Sequence, residues 1–469
     1  MRVCEDLSGV DRAWLLMDRP ANPMMIVGLI TLAAPLERAR LCELLQRRFL
    51  SFPRFRRLPV SNALGGSWIE AEGFDIDDHV PCHALPRPAG QRELETLVGE
   101  LASTPFHPGR PLWAFHLVEN FQCGSAIVVR IHHCYADGIA LMKVLLSLTD
   151  TAPGVARARP RRHKPAASAA GVLDWAGGLL PAALQHTLHE GLSLGAKAVR
   201  LATHPVETST LARKAFGLVS ELAHLGLLED DPMTRLKRPL SGTRRAAWAD
   251  PLPLAEMRTL SHVLGCTVND LLMSTLAGAL GRHLSARGDA VTGLTLRATV
   301  PVNLRAQFDD PPALGNCFGL VFVDLPIGIR HPLERLYAVH AAMQRLKASP
   351  QALVTLGLLQ VIGSLPASVE EPVIAIFSAK ASVVASNLPG PERQLYLADA
   401  PLSQLLFWVP QAGDIGTGIS MLSYNGGVQF GVMADRQLVP KPAELVAEIG
   451  REFERLALVV LLGAERVID

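Results

Sequence analysis

A chain of 469 residues exceeds what one ordinary core sustains, so two domains of about 200 residues each are expected, with one site between them. Lysine and arginine number 45 against 44 aspartates and glutamates, and a formal charge of +1 excludes any global attraction to nucleic acid or acidic partners. With 49% hydrophobic and 19% charged residues, some apolar surface is expected to stay exposed.

In chain order, residues 1–9 carry Glu5 and Asp6 and lack the basic flank and apolar core of a signal peptide, so export is not expected. Cysteines at 4, 42, 82, 123, 134, 266 and 317 form no Cys-x-x-Cys pair and are odd in number. That argues against a disulfide framework or a zinc site and fits a reducing cytoplasm. Residues 24–32 and 125–133 are dominated by β-branched and apolar residues and read as strands, whereas 36–49 and 91–103 have helical periodicity. A helix over 138–148 follows, entered through Asp137, a residue type suited to an N-cap.

From residue 151 to about 165 the composition shifts to Ala, Pro and Arg, with Arg157, Arg159, Arg161, Arg162, His163 and Lys164 close together. Such a segment is a solvated linker or a contact for anionic lipid headgroups. Residues 171–228 read as helical and end at Asp230-Asp231-Pro232. A second α/β region begins near Arg244, with helices over 254–264, 268–284 and 332–347 and strands over 294–302, 319–325 and 381–386. Strands 418–424 and 428–434 form a hairpin around Asn425-Gly426-Gly427, and a helix over 441–462 closes the chain. The fold class is therefore α/β (α+β), with units over 1–150 and 244–469 joined by a linker and bridging helices over 151–243. The charge-free stretch 348–369 has about 14 apolar residues, short of the roughly 20 that a spanning helix needs. Its uncharged part, 353–362, suits a helix that faces lipid, lines an acyl site or is buried between domains.

Strand 125–133 delivers His132 and His133 to its carboxyl end, where α/β folds place ligands, before the chain turns through Asp137 and Gly138 into a helix. Neighbours on a strand point to opposite faces, so one histidine enters the crevice while the other packs or holds the loop. Metal ligation competes with catalysis for such a pair, but further ligands at suitable spacing are missing. Asp137 either holds an imidazole in one tautomer or pairs with a buried arginine, for which Arg305 is a candidate, and Gly138 is expected to permit the turn. Cys134 beside His133 is a possible nucleophile only if both reach the same face.

The segment His132-His133-x-x-x-Asp137-Gly138 resembles the active-site motif of the CoA-dependent acyltransferase superfamily, which includes chloramphenicol acetyltransferases and peptide-synthetase condensation domains. Further segments resemble one branch, the bacterial wax ester synthase/diacylglycerol acyltransferase family. They are Leu7-Ser8-x-x-Asp11, Pro53-Arg54-Phe55-Arg56, Pro111-Leu112-Trp113, Asn269-Asp270, Pro301-Val302-Asn303-Leu304-Arg305, Leu314-Gly315-Asn316, Ser386-Asn387-x-Pro389-Gly390-Pro391 and Ser423-Tyr424-Asn425-Gly426. They occur in family order along nearly the whole chain. Met25, where the family commonly has a histidine, and Ala114, where a polar residue often follows the tryptophan, depart from the pattern and bear on acceptor preference.

The resemblance implies two chloramphenicol-acetyltransferase-like subdomains with an active-site channel between them. It implies transfer of a fatty acyl group from acyl-CoA to a long-chain alcohol, giving a wax ester, or to diacylglycerol, giving triacylglycerol, with His133 as general base. Both substrates then meet in one complex; acyl-CoA is a substrate, and no cofactor or metal is expected. Ser386 and Asn387 are candidate donors to oxyanion or substrate, or parts of a tight turn. Asn269 and Asp270 open a helix and cap it, scaffold the site or act in it, and Trp113 belongs to the core or touches the acyl chain. A carrier-dependent condensation enzyme or a non-catalytic lipid-body protein would share the motif. Water-insoluble acceptors imply work at a lipid surface, with the protein cytoplasmic and peripherally attached to the inner membrane face or lipid inclusions. No glycine-rich phosphate loop marks a CoA site.

Overall fold

The computed structural model describes residues 3–62, 65–154, 228–308, 314–347, 349–363 and 367–463. The basic stretch 157–164 and nearly all of the segment 171–228 read as helical lie outside the described residues.

The strands are β1 (Val3–Asp6), β2 (Met25–Leu32), β3 (Arg57–Asn62), β4 (Gly65–Glu70), β5 (Cys82–His83), β6 (Trp113–Phe121), β7 (Gly124–His132), β8 (Arg244–Trp248), β9 (Leu252–Pro253), β10 (Leu296–Asn303), β11 (Phe318–Leu325), β12 (Val383–Pro389), β13 (Tyr396–Leu397), β14 (Ala400–Trp408), β15 (Thr417–Tyr424) and β16 (Gly427–Asp435). The helices are α1 (Gly9–Leu16), α2 (Arg38–Arg47), α3 (Gln91–Ser103), α4 (Gly138–Leu148), α5 (Leu254–Val263), α6 (Val268–Ala286), α7 (Pro332–Lys347), α8 (Gln351–Ile362), α9 (Ala367–Ala379) and α10 (Pro442–Leu462).

Two large sheets organise the chain. One has the order β13-β14-β2-β7-β6-β5, and the other runs β11-β10-β12-β15-β16-β8 with β9 beside β16. The first is built mostly from the N-terminal half, but β14 comes from the C-terminal half and pairs antiparallel with β2, Phe407 opposite Gly28. In return, β8 at the edge of the second sheet rests on α3, where Gln91 Nε2 donates to Trp248 O at 2.7 Å. One buried apolar cluster, with Ile26, Ile127, Leu276, Val323 and Leu456 among its members, runs through both halves. This is the α/β architecture with two subdomains expected from the sequence.

Local chemistry accounts for the elements that carry the site. β7 is buried along its length apart from Val129 and is apolar from Ala126 to Val129, as a strand covered on both faces should be. It ends at His132, one residue short of the expected 133, because His132 O accepts from Tyr135 N at 3.1 Å and closes a turn. Ser8 caps α1 through Asp11 N, and Asp137 caps α4 through Ala140 N. The β15–β16 hairpin turns at Asn425 and Gly426, with φ of 48° and 82°, the left-handed pair that a tight hairpin favours. Among the described residues no single helix is long and apolar enough to cross a membrane.

Candidate active site

His133 stands just beyond the end of β7. Its N–H donates to Met24 O at 2.8 Å, and its carbonyl accepts from Asn316 Nδ2 at 2.9 Å, so the main chain is held on both sides. The ring lies over Trp14 of α1, centroids 4.1 Å apart and planes 20° apart, with Phe318 at 5.5 Å. Only 3% of the residue is exposed. Burial pulls its pKa down to about 4 although the Asp137 carboxylate opposes the shift, so the imidazole is neutral at neutral pH. Its Nδ1 is buried without a hydrogen-bond partner.

His132 is turned elsewhere. Its Nδ1 accepts from Cys134 N at 3.2 Å, and its Nε2 lies 3.7 Å from Asp18 Oδ2, so it pins the loop. Cys134 is fully buried, and burial pushes its thiol pKa well up, which keeps it protonated and unsuited to nucleophilic attack.

Asp137 is a structural clamp. One carboxylate oxygen caps α4, and the other accepts from Arg305 Nη2 and from Cys317 N, both at 2.9 Å. The Arg305 pairing was one of two alternatives open in the sequence; the pair forms because β10 ends beside the loop that carries Gly315. Arg305 Nη2 also donates to Gly315 O at 2.5 Å, and Asp137 N to the same carbonyl at 3.3 Å. Gly138 is not in the left-handed region, contrary to the turn expected there. A Cβ on it would stand 3.3 Å from Leu388 Cδ1 and 3.5 Å from Phe407 Cε2, so close packing is what its lack of a side chain serves.

Asp11 and Asn316, to which sequence reasoning assigned no role, complete the support. Asp11 Oδ1 accepts from Asn316 N at 3.2 Å and from its Nδ2 at 2.8 Å, and that amide reaches the His133 carbonyl. Arg54 Nη1 joins Asp11 Oδ2 at 3.4 Å and Tyr135 O at 3.3 Å. Burial raises the Asp11 pKa against the pull of Arg54. The three segments Leu7-Ser8-x-x-Asp11, His132-to-Gly138 and Leu314-Gly315-Asn316 thus meet in one buried network. The available signal was their presence among the family segments; Trp14 had none.

His133 opens into a mostly apolar cavity. Its walls come from β10, β11, β12 and α8, with Leu320, Phe322, Leu358 and Leu388 among the lining residues. Asp137, already paired, is the one carboxylate on the lining, and no lysine or arginine lines it among the described residues. The polar lining includes Asn269, Asn303, Ser386 and Asn387, with Asn387 Nδ2 donating to Asn269 Oδ1 at 3.1 Å. Ser386 and Asn387 lie within β12, opposite Ser420 and Met421, rather than in a tight turn, because the ladder with β15 runs on to Pro389. Asp270 faces away from the cavity. It closes the capping box with Thr267 and lies 2.8 Å from His340 Nδ1, so it scaffolds Asn269.

Trp113 does not reach the cavity. It is a core residue, stacked on His79 with centroids 4.1 Å apart and donating Nε1–H to Phe55 O at 2.7 Å, because β6 lies behind β7 as seen from the chamber. α8, the uncharged helix of the sequence, lines the chamber with Ala352, Thr355, Leu358, Leu359 and Ile362 and turns Val361 outward at 56% exposure.

A neutral histidine at a strand end, between two sheets and facing a long apolar chamber, places the chain in the class of two-subdomain acyltransferases. The fold is shared with the first condensation domain of the calcium-dependent antibiotic synthetase, at TM-score 0.57 and 14% identity, over 99% of this chain and 98% of that one. It is also shared with a wax ester synthase/diacylglycerol acyltransferase from Marinobacter aquaeolei, at TM-score 0.68 and 22% identity, over 98% and 100% of the two chains.

The sequence profile of the wax ester synthase/diacylglycerol acyltransferase catalytic domain matches residues 7–272, and that of the WS/DGAT C-terminal domain matches 314–457. Two Mycobacterium tuberculosis proteins named as diacylglycerol O-acyltransferases are each 28% identical, one over 97% of this chain and 92% of its own length, the other over 91% and 89%. The chain belongs to the wax ester synthase/diacylglycerol acyltransferase family and is an O-acyltransferase.

Proposed function

We propose that His133 is the general base that moves a fatty acyl group from acyl-CoA to the hydroxyl of a long-chain alcohol or of diacylglycerol. One observation carries this reading: a buried, neutral imidazole stands at the end of a chamber whose lining, among the described residues, carries no unpaired charge. An alcohol is a poor nucleophile at neutral pH. With Nδ1 buried, Nε2 takes the hydroxyl proton as the oxygen attacks the thioester carbonyl. The new C–O bond forms, the C–S bond of the tetrahedral intermediate breaks, and the imidazolium returns its proton to the departing CoA sulfur. No acyl-enzyme is needed.

The amides of Asn269 and Asn387 and the hydroxyl of Ser386 are donors within the chamber for the oxyanion. His132, Asp137, Gly138 and Asp270 act as support. Preorganised donors in a dry site cost no reorganisation when charge develops, which supplies what general base catalysis of about 10² to 10⁴-fold leaves wanting.

The reading also places the enzyme at a lipid surface, peripheral and on the cytoplasmic side. Val361 and Ile376, 56% and 50% exposed, flank Ile362, Ile374 and Phe377 of the chamber lining, which supports entry of insoluble acceptors there. The test supplies purified protein with palmitoyl-CoA and either hexadecanol or diacylglycerol and follows free thiol. Release with one or both acceptors is expected and ranks them. No release with either overturns the reading.

A further inference from the structure

A histidine base needs a partner that fixes its plane and favours the charge it gains. In a catalytic triad a buried carboxylate does both through Nδ1–H. Here Asp137, whose charge reaches the ring, is spent elsewhere: one oxygen accepts from Ala140 N at 2.8 Å and the other from Arg305 Nη2 and Cys317 N. His133 Nδ1 makes no hydrogen bond; its own carbonyl and the Asn316 side chain favour the proton without closing one. The place of the orienting carboxylate is therefore open.

An aromatic face lies there instead. The Trp14 indole stacks on the imidazole with centroids 4.1 Å and planes 20° apart, and both residues line the chamber. A cation within about 6 Å of a ring centroid is attracted to its π face, most strongly by tryptophan and more so where water is excluded. The indole N–H is buried without a hydrogen-bond partner among the described residues, which costs stability that a phenylalanine would not. α1 is also anchored so that this face cannot turn away. Arg12 Nη2 donates to Asn62 O at 2.7 Å, and a Cβ on Gly9 would stand 2.7 Å from Gln360 O of α8. Asp11 and Trp14, three residues apart, share one side of the helix. Asp11 holds Asn316, whose amide holds the His133 carbonyl, so α1 grips the histidine by main chain and by ring.

We propose that Trp14 is a positioning residue for the transfer: its indole face holds the plane of the His133 ring and stabilises the imidazolium that forms during it. The proton leaves the acceptor hydroxyl for Nε2 as the C–O bond forms, and returns to the CoA sulfur as the C–S bond breaks. The ring is positive only between those two events, and the indole stays neutral throughout. Of the charged groups around the ring, Asp137 favours the proton and His132 opposes it. Asp11 and Arg54 face each other behind the main chain, and Arg305 faces Asp137. Phe318, tilted by 50° at 5.5 Å, is the second ring beside it. The inference rests on the acyl-transfer reading for its reaction, but the stack is defined by geometry alone.

The experiment places mono-, di- and trifluorotryptophan at position 14 alone, which drains the π face stepwise while keeping its shape, and adds the variants Trp14→Phe and Trp14→Leu. Thiol release is followed with palmitoyl-CoA and the acceptor that the unsubstituted enzyme uses. For Trp14→Leu, kcat should fall about 5- to 30-fold with KM for acyl-CoA within about twofold, and Trp14→Phe should recover part of the loss. Across the fluorinated series log kcat should fall in step with the number of fluorines. The nitrogen resonances of ¹⁵N-labelled His133, assigned by their loss in His133→Ala, report protonation without turnover. The protonation constant should fall by about 3- to 10-fold across the same series.

A kcat that stays level across the fluorinated series overturns the inference whatever Trp14→Leu does, since the indole is then core filling; so does a level protonation constant. A loss in Trp14→Leu confined to KM overturns it as well and makes Trp14 a substrate contact. Absence of thiol release from the unsubstituted enzyme would defeat the acyl-transfer reading, while the titration still decides whether the indole stabilises the charged ring.

Discussion

The two sides of His133 are built from opposite materials. Behind it Asp11, Arg54, Asn316, Asp137 and Arg305 form a buried, hydrogen-bonded lattice; in front lies an apolar chamber with a few neutral polar groups. The lattice acts on the main chain on either side of the ring, through the carbonyls of His133, Tyr135 and Gly315, rather than on the imidazole itself. Buried ion pairs are a poor source of net stability, since desolvation offsets most of their attraction. What they supply here is a fixed place for His133, the proposed base. The chamber does the reverse: burial keeps the ring neutral, and in the proposed reaction a largely apolar lining strengthens each donor offered to the oxyanion. Positioning and chemistry are thereby assigned to different faces of one residue.

That division can be broken at several points. The largest effect is expected from His133→Ala, which leaves the lattice intact because its contacts to residue 133 are main-chain. Thiol release should fall by about 10² to 10⁴-fold while the circular dichroism spectrum stays native; native folding with wild-type turnover would end the role of His133. Next comes Arg305→Met, which strands the Asp137 carboxylate in the interior and should cost about 3–5 kcal/mol in urea unfolding. The double variant Arg305→Met/Asp137→Asn should recover part of that loss. A single variant as stable as wild type would show that the rear lattice does not hold the loop.

A third effect is a displaced pH profile. Because burial holds the His133 pKa near 4, kcat/KM should stay level as pH falls from 8 to about 5 and drop only as pH passes through about 4. The sign for stability follows from the same depression. Between the unfolded value near 6.5 and about 4, the unfolded chain binds a proton that folded His133 does not, so its contribution is lost as pH falls through that window. An acid limb of kcat/KM near 6.5 would mean that water reaches the ring and that the chamber does not isolate it.

Much of this was legible in the sequence, for local reasons. Helices α3, α4 and α7 run over the residues their periodicity marked, 91–103, 138–148 and 332–347, and Asp137 caps α4 as its residue type suggested. The separation of His132 from His133 followed from strand alternation. The family was legible too, since its segments stand in order along the chain. Other features left no local trace. β14, whose residues 400–408 drew no strand assignment, pairs with β2 nearly 400 residues away and packs Phe407 against Gly138. Ser386 and Asn387 were open to reading as donors or as part of a tight turn, and the strand expected over 381–386 runs on through both because β15 is there to pair with them.

Sequence alone determined many of the elements, the loop that carries the two histidines and the class of reaction, because period, caps and ordered motifs are properties of neighbouring residues. Only the tertiary structure decided that Asp137 answers to Arg305 rather than to the imidazole, that Trp14 stacks on the ring, that Asp11 and Asn316 hold it from behind, and that Trp113 lies out of reach. Each of these joins residues tens to hundreds of positions apart, and such choices are made by the packing of the whole core, which no local pattern records.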